Sequence, residues 1–198
     1  PKLADYIIEL FYNSILSGPK THIINALSNT ATALLSPVER ATAAGVEQVV
    51  ARVSGRPLER FFAEVPAETF GAIHGIKEGT QSALYTLRTG IRPSAASKWE
   101  FRPHAFKGRL GRVINAPSTA LEAADAMGYA INYQAALSAG IMRTARKAGL
   151  KGQALTEKIA ELKLLPTPEL IKEAANIAEY RLFRQEPGEL VAKLMSLR

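Results

Sequence analysis

YNSILSGPKTHIINALSN, Tyr12 to Asn29, is the stretch whose reading decides the fold. Its left part ends an apolar helical pattern at Leu16. Ser17-Gly18-Pro19 breaks that pattern and restarts it. Glycine after a helix can take a positive φ, and proline fits a first helical turn, where its missing N–H costs nothing. The stretch therefore reads as two helices meeting at a tight corner. On the second helix His22, Asn25 and Asn29 form one line at spacings of three and four. Such a line suits a ligand or metal, or amides that tie neighbouring helices together. No second histidine or carboxylate stands at i+4 from His22, as a metal site would supply.

Upstream, Leu3, Ile7, Leu10, Phe11 and Ile15 recur at helical spacing and predict one buried face. Downstream, Ser36-Pro37-Val38-Glu39 reads as a helix start, with Ser36 as cap and Pro37 in the first turn. The expected helices are 19–35 and 36–53, and Ser54-Gly55-Arg56-Pro57 closes the second. Leu58–Val65 reads as a short helix that plugs the core with Phe61 and Phe62. The next helix runs from Pro66 to Thr89 with Gly71, Gly75 and Gly79 in one line. Each helical glycine costs about 1 kcal/mol against alanine, so something must offset three of them. A close helix crossing does so. The same spacing serves membrane or oligomer contacts, although His74, Lys77 and Glu78 argue against a simple span.

Residues 91–117 have weak periodicity and read as a long irregular connector between helical parts 1–90 and 118–198. Thr119-Ala120-Leu121-Glu122 reads as a capping box opening a long helix to Ala148. Ala126–Met142 carries no charge, but Asn132 and Gln134 favour a buried central helix over a span. Gln153–Leu165, with Leu155, Ile159, Leu162 and Leu165 inward, Pro168–Gln185 behind a Thr167 cap, and Glu189–Leu197 complete the pattern. The expected fold class is all-α, a multi-helix bundle of about seven to nine helices with a long basic loop. A start at Pro1 and an end inside an apolar helix read as a piece of a longer polypeptide.

The chain carries a net charge of +7 and no cysteine. Disulfide scaffolds, thiolate metal sites and a cysteine nucleophile are excluded. The positive excess concentrates in Arg88, Arg92, Lys98, Arg102, Lys107, Arg109 and Arg112, against Glu100 alone. Trp99, Phe101 and Phe106 interleave with them. Such a segment can grip phosphates and stack on bases, sit at a lipid headgroup boundary, or be an ordinary solvated loop. Arg92, Lys98, Arg102, Lys107, Arg109 and Arg112 are the candidate nucleic-acid or anionic-lipid contacts. Gly71, Gly75 and Gly79 are the candidate packing residues. No phosphate-binding glycine loop, G-x-S-x-G, H-E-x-x-H or C-x-x-C is present. Glu64/Glu68 and Glu157/Glu161 share helical spacing and read as solvated pairs, with a peptidoglycan-cleaving carboxylate as the remaining enzyme reading. No catalytic residue, metal, cofactor or small-molecule substrate is expected.

Three segments carry a family resemblance: SILSGPKTHIINALSNT (Ser14–Thr30), APSTALEAADAMGYAINYQAALSAGIMRTARKAGL (Ala116–Leu150) and AANIAEYRLFRQEPGELVAKL (Ala174–Leu194). The first resembles the L-S-G-P-x-T-x-x-x-N-x-x-[SG]-N segment of very large virion-associated proteins of tailed bacteriophages and prophages. These are similar to internal virion, DNA-ejection and large polyvalent proteins. The resemblance implies a non-enzymatic helical structural segment of a long chain. It would be packaged in the virion, delivered with the genome into the host envelope or cytoplasm, and contact other virion proteins, its own copies, DNA or a membrane surface. A stand-alone nucleic-acid-binding domain acting through 88–112 is the alternative.

Overall fold

A computed structural model describes residues 1–91 and 105–182, all helices and connections without a strand. Within that range the helices are α1 Leu3–Leu16, α2 Pro19–Ser54, α3 Glu64–Thr89, α4 Gly108–Ile114, α5 Ala116–Lys147, α6 Gly152–Leu164 and α7 Pro168–Arg181. The expected helix Glu189–Leu197 and the end of the expected helix to Gln185 lie outside the described residues, as do Arg92, Lys98, Trp99, Phe101 and Arg102.

The chain is an all-α bundle built around α5. Alanines make up most of the buried apolar residues described: Ala126, Ala135, Ala136, Ala139 and Ala145 on α5, and Ala174 and Ala178 on α7, are buried. Ile141, Leu162 and Leu170 bring α5, α6 and α7 together, with Leu137 and Ile159 packed on them. They are the only large aliphatic side chains fully buried among the described residues.

The glycine line of α3 lies directly on α5. A Cβ at Gly75 would sit 2.6 Å from Ile131 Cα and 2.9 Å from Ala130 O. One at Gly79 would sit 2.8 Å from Met127 O, and one at Gly71 would meet Gln134 O and Ser138. Three absent side chains thus let two backbones approach to contact, and the dispersion gained along that line offsets the glycine cost.

Several local expectations are corrected. Residues 19–54 form one helix with Pro37 inside it, not two helices. An internal proline removes a backbone bond and costs about 3 kcal/mol. What holds the helix through it is tertiary: Ser36 donates its hydroxyl to Glu68 at 2.5 Å instead of capping, and Arg40 binds the same carboxylate. Gly18 has φ −67, so the corner needs no left-handed residue; Pro19 alone starts α2. Residues 58–63 do not form a helix, and Phe62 is half-exposed. α5 begins at Ala116, with Pro117 in its first turn, ahead of the expected Thr119 box. α4 and the start of α5 lie inside the stretch expected to be irregular. At α7 the Thr167 cap is in place and accepts from Leu170 N at 3.4 Å.

The largest difference concerns which faces point inward. On α1 the apolar residues face out: Leu3 is 77% exposed, Ile7 59% and Phe11 62%. The buried residues are Glu9 and Asn13. Leu165, expected inward on α6, is also exposed. The reason on α1 is a polar anchor. The Glu9 carboxylate accepts from the backbone N–H of Ala105 and Phe106 and from the Asn115 amide. The Asn13 amide donates to Asn115 Oδ1 at 2.8 Å, and Tyr6 meets Phe106 edge-on. Satisfying these groups turns the polar line of α1 toward the bundle.

Candidate functional site

Two features stand out in the folded chain, a buried ion cluster and an apolar exterior. The cluster draws on four helices. α2 supplies Ser36 and Arg40, α3 Glu64 and Glu68, α5 Arg143, and α7 Glu173 and Arg181. Arg40 reaches Glu68 Oε2 through Nε at 2.5 Å and Glu64 Oε2 through Nη1 at 2.9 Å. Arg181 Nη2 meets Glu68 Oε1 at 2.7 Å. Arg143 grips Glu64 through Nη2 at 3.0 Å and Glu173 through Nη1 at 2.6 Å. The backbone N–H of Phe61 donates to Glu64 Oε1 at 2.8 Å. Glu64 and Glu68 are each only 1% exposed.

Three carboxylates face three guanidiniums, with Glu64 and Glu68 buried and Glu173 at the exposed edge of the cluster. Burial pushes the Glu68 carboxyl up, but hydrogen bonds from Arg40, Ser36 and Arg181 outweigh it and hold it below its ordinary value. Burial likewise works against the Arg143 cation, and hydrogen bonds to Glu64 and Glu173 reverse that. A general acid needs a proton to give and access to a substrate. Glu64 and Glu68 are saturated by donors and shut from solvent. Glu64 and Glu68 are therefore not the solvated pair expected from their spacing. They are a structural key joining α2, α3, α5 and α7. Glu161, by contrast, pairs with Lys158 at the surface.

The key is what sequence reasoning missed. Its signal was Glu64 and Glu68 one turn apart with arginines at 40, 143 and 181, but nothing local says that residues so distant meet. Glu9 and Asn13, also one turn apart on an otherwise apolar helix, were the parallel signal for the α1 anchor.

The candidate basic residues are only partly placed. Lys107, Arg109 and Arg112 are exposed on and beside α4; Arg92, Lys98 and Arg102 lie outside the described residues. Arg112 shares a cavity of about 580 Å³ with Arg88, Thr89, Asn115 and Thr119, between the end of α3 and the α4–α5 junction. His22 is half-buried, and the side chains of Asn25 and Asn29 lie outside the description. Among the described residues no group of three or more His, Cys, Asp or Glu is placed to hold a metal.

The exterior carries the apolar residues that the interior lacks. Val46, Val49 and Val53 of α2 are exposed, as are Phe70, Ile73, Ile76, Leu84 and Leu87 of α3. The exposed line on α3 lies away from its glycine contact and runs most of the helix. No helix among the described residues is long and apolar enough to cross a membrane. Exposed large apolar side chains recurring along one side of a helix suit a face that packs against a partner. No family model, curated protein or solved structure matches the chain.

Proposed function

We propose that the chain is a non-enzymatic helical structural module, completed by contact with other chains, of the internal virion or DNA-ejection type. The observation that carries the module reading is the inverted distribution of residues. Glutamates and arginines are buried and paired, while Ile73, Ile76, Leu84 and Leu87 are 46–57% exposed. Such faces are built for burial between helices. The phage setting comes from the three resembling segments, and other virion proteins or copies of the chain are the partners it implies.

Sedimentation velocity tests the module reading. The purified chain self-associates or binds apolar dye, and Ile73→Glu with Leu84→Glu reduces both without lowering helix content. A wild-type chain that stays monomeric, binds no dye and matches the variant refutes the reading. Peptides of this chain in purified particles test the setting.

A second reading, nucleic-acid binding, is favoured by the cavity shared by Arg88 and Arg112 beside exposed Lys107 and Arg109. Its mark is affinity that falls steeply with salt and is lost on reversing Arg109 and Arg112.

A further inference from the structure

We propose that α1 is a displaceable arm. It swings off the bundle as a unit while α3, α5 and α7 stay folded, and the Glu9 carboxylate is the latch that holds it down. This goes beyond the module reading and does not depend on it.

The first observation is what α1 leaves outside. Leu3, Ile7, Leu10, Phe11 and Ile15 are 48–77% exposed. The buried residues of α1 are Glu9 and Asn13, and among its large apolar side chains only Tyr6 and Leu16 are half-buried. The cluster of Ile141, Leu162 and Leu170 that joins α5, α6 and α7 has no member from α1. A helix is ordinarily held to its neighbours by the apolar face it buries. Lifting α1 away wets little new apolar surface, so the hydrophobic resistance to its opening is small.

The second observation is that the hold is polar and concentrated. Glu9 Oε2 accepts from the backbone N–H of Ala105 and from that of Phe106 at 3.1 Å, and Oε1 accepts from Asn115 Nδ2 at 2.5 Å. Three donors thus converge on one side chain that is shut from solvent. Asn13 donates to Asn115 Oδ1 at 2.8 Å and accepts from the Ser118 backbone N–H at 3.4 Å. Asn115 therefore serves both buried side chains of α1. Among the described residues no other hydrogen bond joins α1 to the bundle. Such bonds are strong while the carboxylate is kept from water, and water replaces them all once the contact opens. The hold is made or lost together.

The third observation is the joint. α1 ends at Leu16, and Ser17 and Gly18 separate it from α2. Pro19, the first residue of α2, has no N–H to carry a helical bond across the corner. α1 can pivot there without melting a turn of α2.

Hydrogen exchange of the whole chain, read by mass spectrometry, tests the proposal. Amides of α1 exchange at least about 100-fold faster than those in the middle of α3 and α5, because local opening frees them without global unfolding. Glu9→Gln keeps the shape of the side chain but turns one acceptor oxygen into an amide group that faces donors. It speeds α1 exchange about tenfold or more, while exchange in α3 and α5 and the melting temperature of the bundle hold. Phe11→Ala, at an exposed position, does not speed α1 exchange. If α1 exchanges as slowly as α5, it opens only with the whole fold and the proposal is overturned. Fast α1 exchange that Glu9→Gln leaves untouched also overturns it, because the helix is then frayed and not latched. So does a Glu9→Gln chain in which α3 and α5 lose protection along with α1, which makes Glu9 part of the common core. Self-association is read separately by sedimentation, so this proposal and the module reading can each fail alone.

Discussion

Gly75 and Gly45 are both helical glycines, and replacing each with alanine should have opposite effects. In an exposed helix either change gains about 0.5–1 kcal/mol, because alanine loses less backbone freedom on folding. At Gly45 the new Cβ meets only Phe62 Cζ at 3.6 Å, ordinary van der Waals contact. The full gain is expected there, and at about 2–4 °C per kcal/mol for a chain of this size the melting temperature rises by about 1–4 °C. At Gly75 the new Cβ lies 2.6 Å from Ile131 Cα and 2.9 Å from Ala130 O. Both atoms are backbone, so relief requires moving α5 rather than rotating a side chain. Overpacking of this kind costs about 1–3 kcal/mol, and two backbone clashes place it at the upper end. After the propensity gain, a net loss of about 2 kcal/mol remains, and the melting temperature falls by about 4–8 °C. Thermal unfolding followed by circular dichroism reads both. If Gly75→Ala stabilises as much as Gly45→Ala, the close approach of α3 and α5 is wrong.

Pro37→Ala restores a backbone donor inside α2 and is expected to stabilise by about 1–3 kcal/mol in denaturant titration; a loss would mean that two helices meet at Ser36 after all. Glu68→Gln leaves Arg40 and Arg181 short of a countercharge and is expected to cost about 3–5 kcal/mol. The Glu68 carboxyl is held below its ordinary 4.5 in the fold, so its contribution is whole above that value and fades as pH falls through the lowered one. The wild type should lose stability across that acid window, and Glu68→Gln should lose less; parallel pH curves would contradict the pairing.

Helix type and rough extent were legible because the signals are local. The apolar period of α6, the Thr167 cap and the Gly71–Gly75–Gly79 line each state their meaning within a few residues. Orientation was not legible. Periodicity shows that α1 has an apolar face, but not that this face points away from the bundle. That outcome depends on Glu9 finding Ala105 and Asn115, 96 and 106 positions away. Pro37 illustrates the same limit. Ser36 and Glu39 spell a helix start, yet the Ser36 hydroxyl binds Glu68, 32 positions on. The ion key was illegible for the same reason, since its charges meet only when four helices are already in place.

The alanine and ion-pair interior has a calorimetric consequence. Unfolding raises heat capacity mainly through newly wetted apolar surface, about 12–15 cal/mol/K per residue in ordinary domains. Among the described residues most large aliphatic side chains are already exposed in the folded chain, so the isolated protein should fall below that range and show a flat stability curve. The missing heat capacity should appear instead as a negative change on association, when those faces are at last buried.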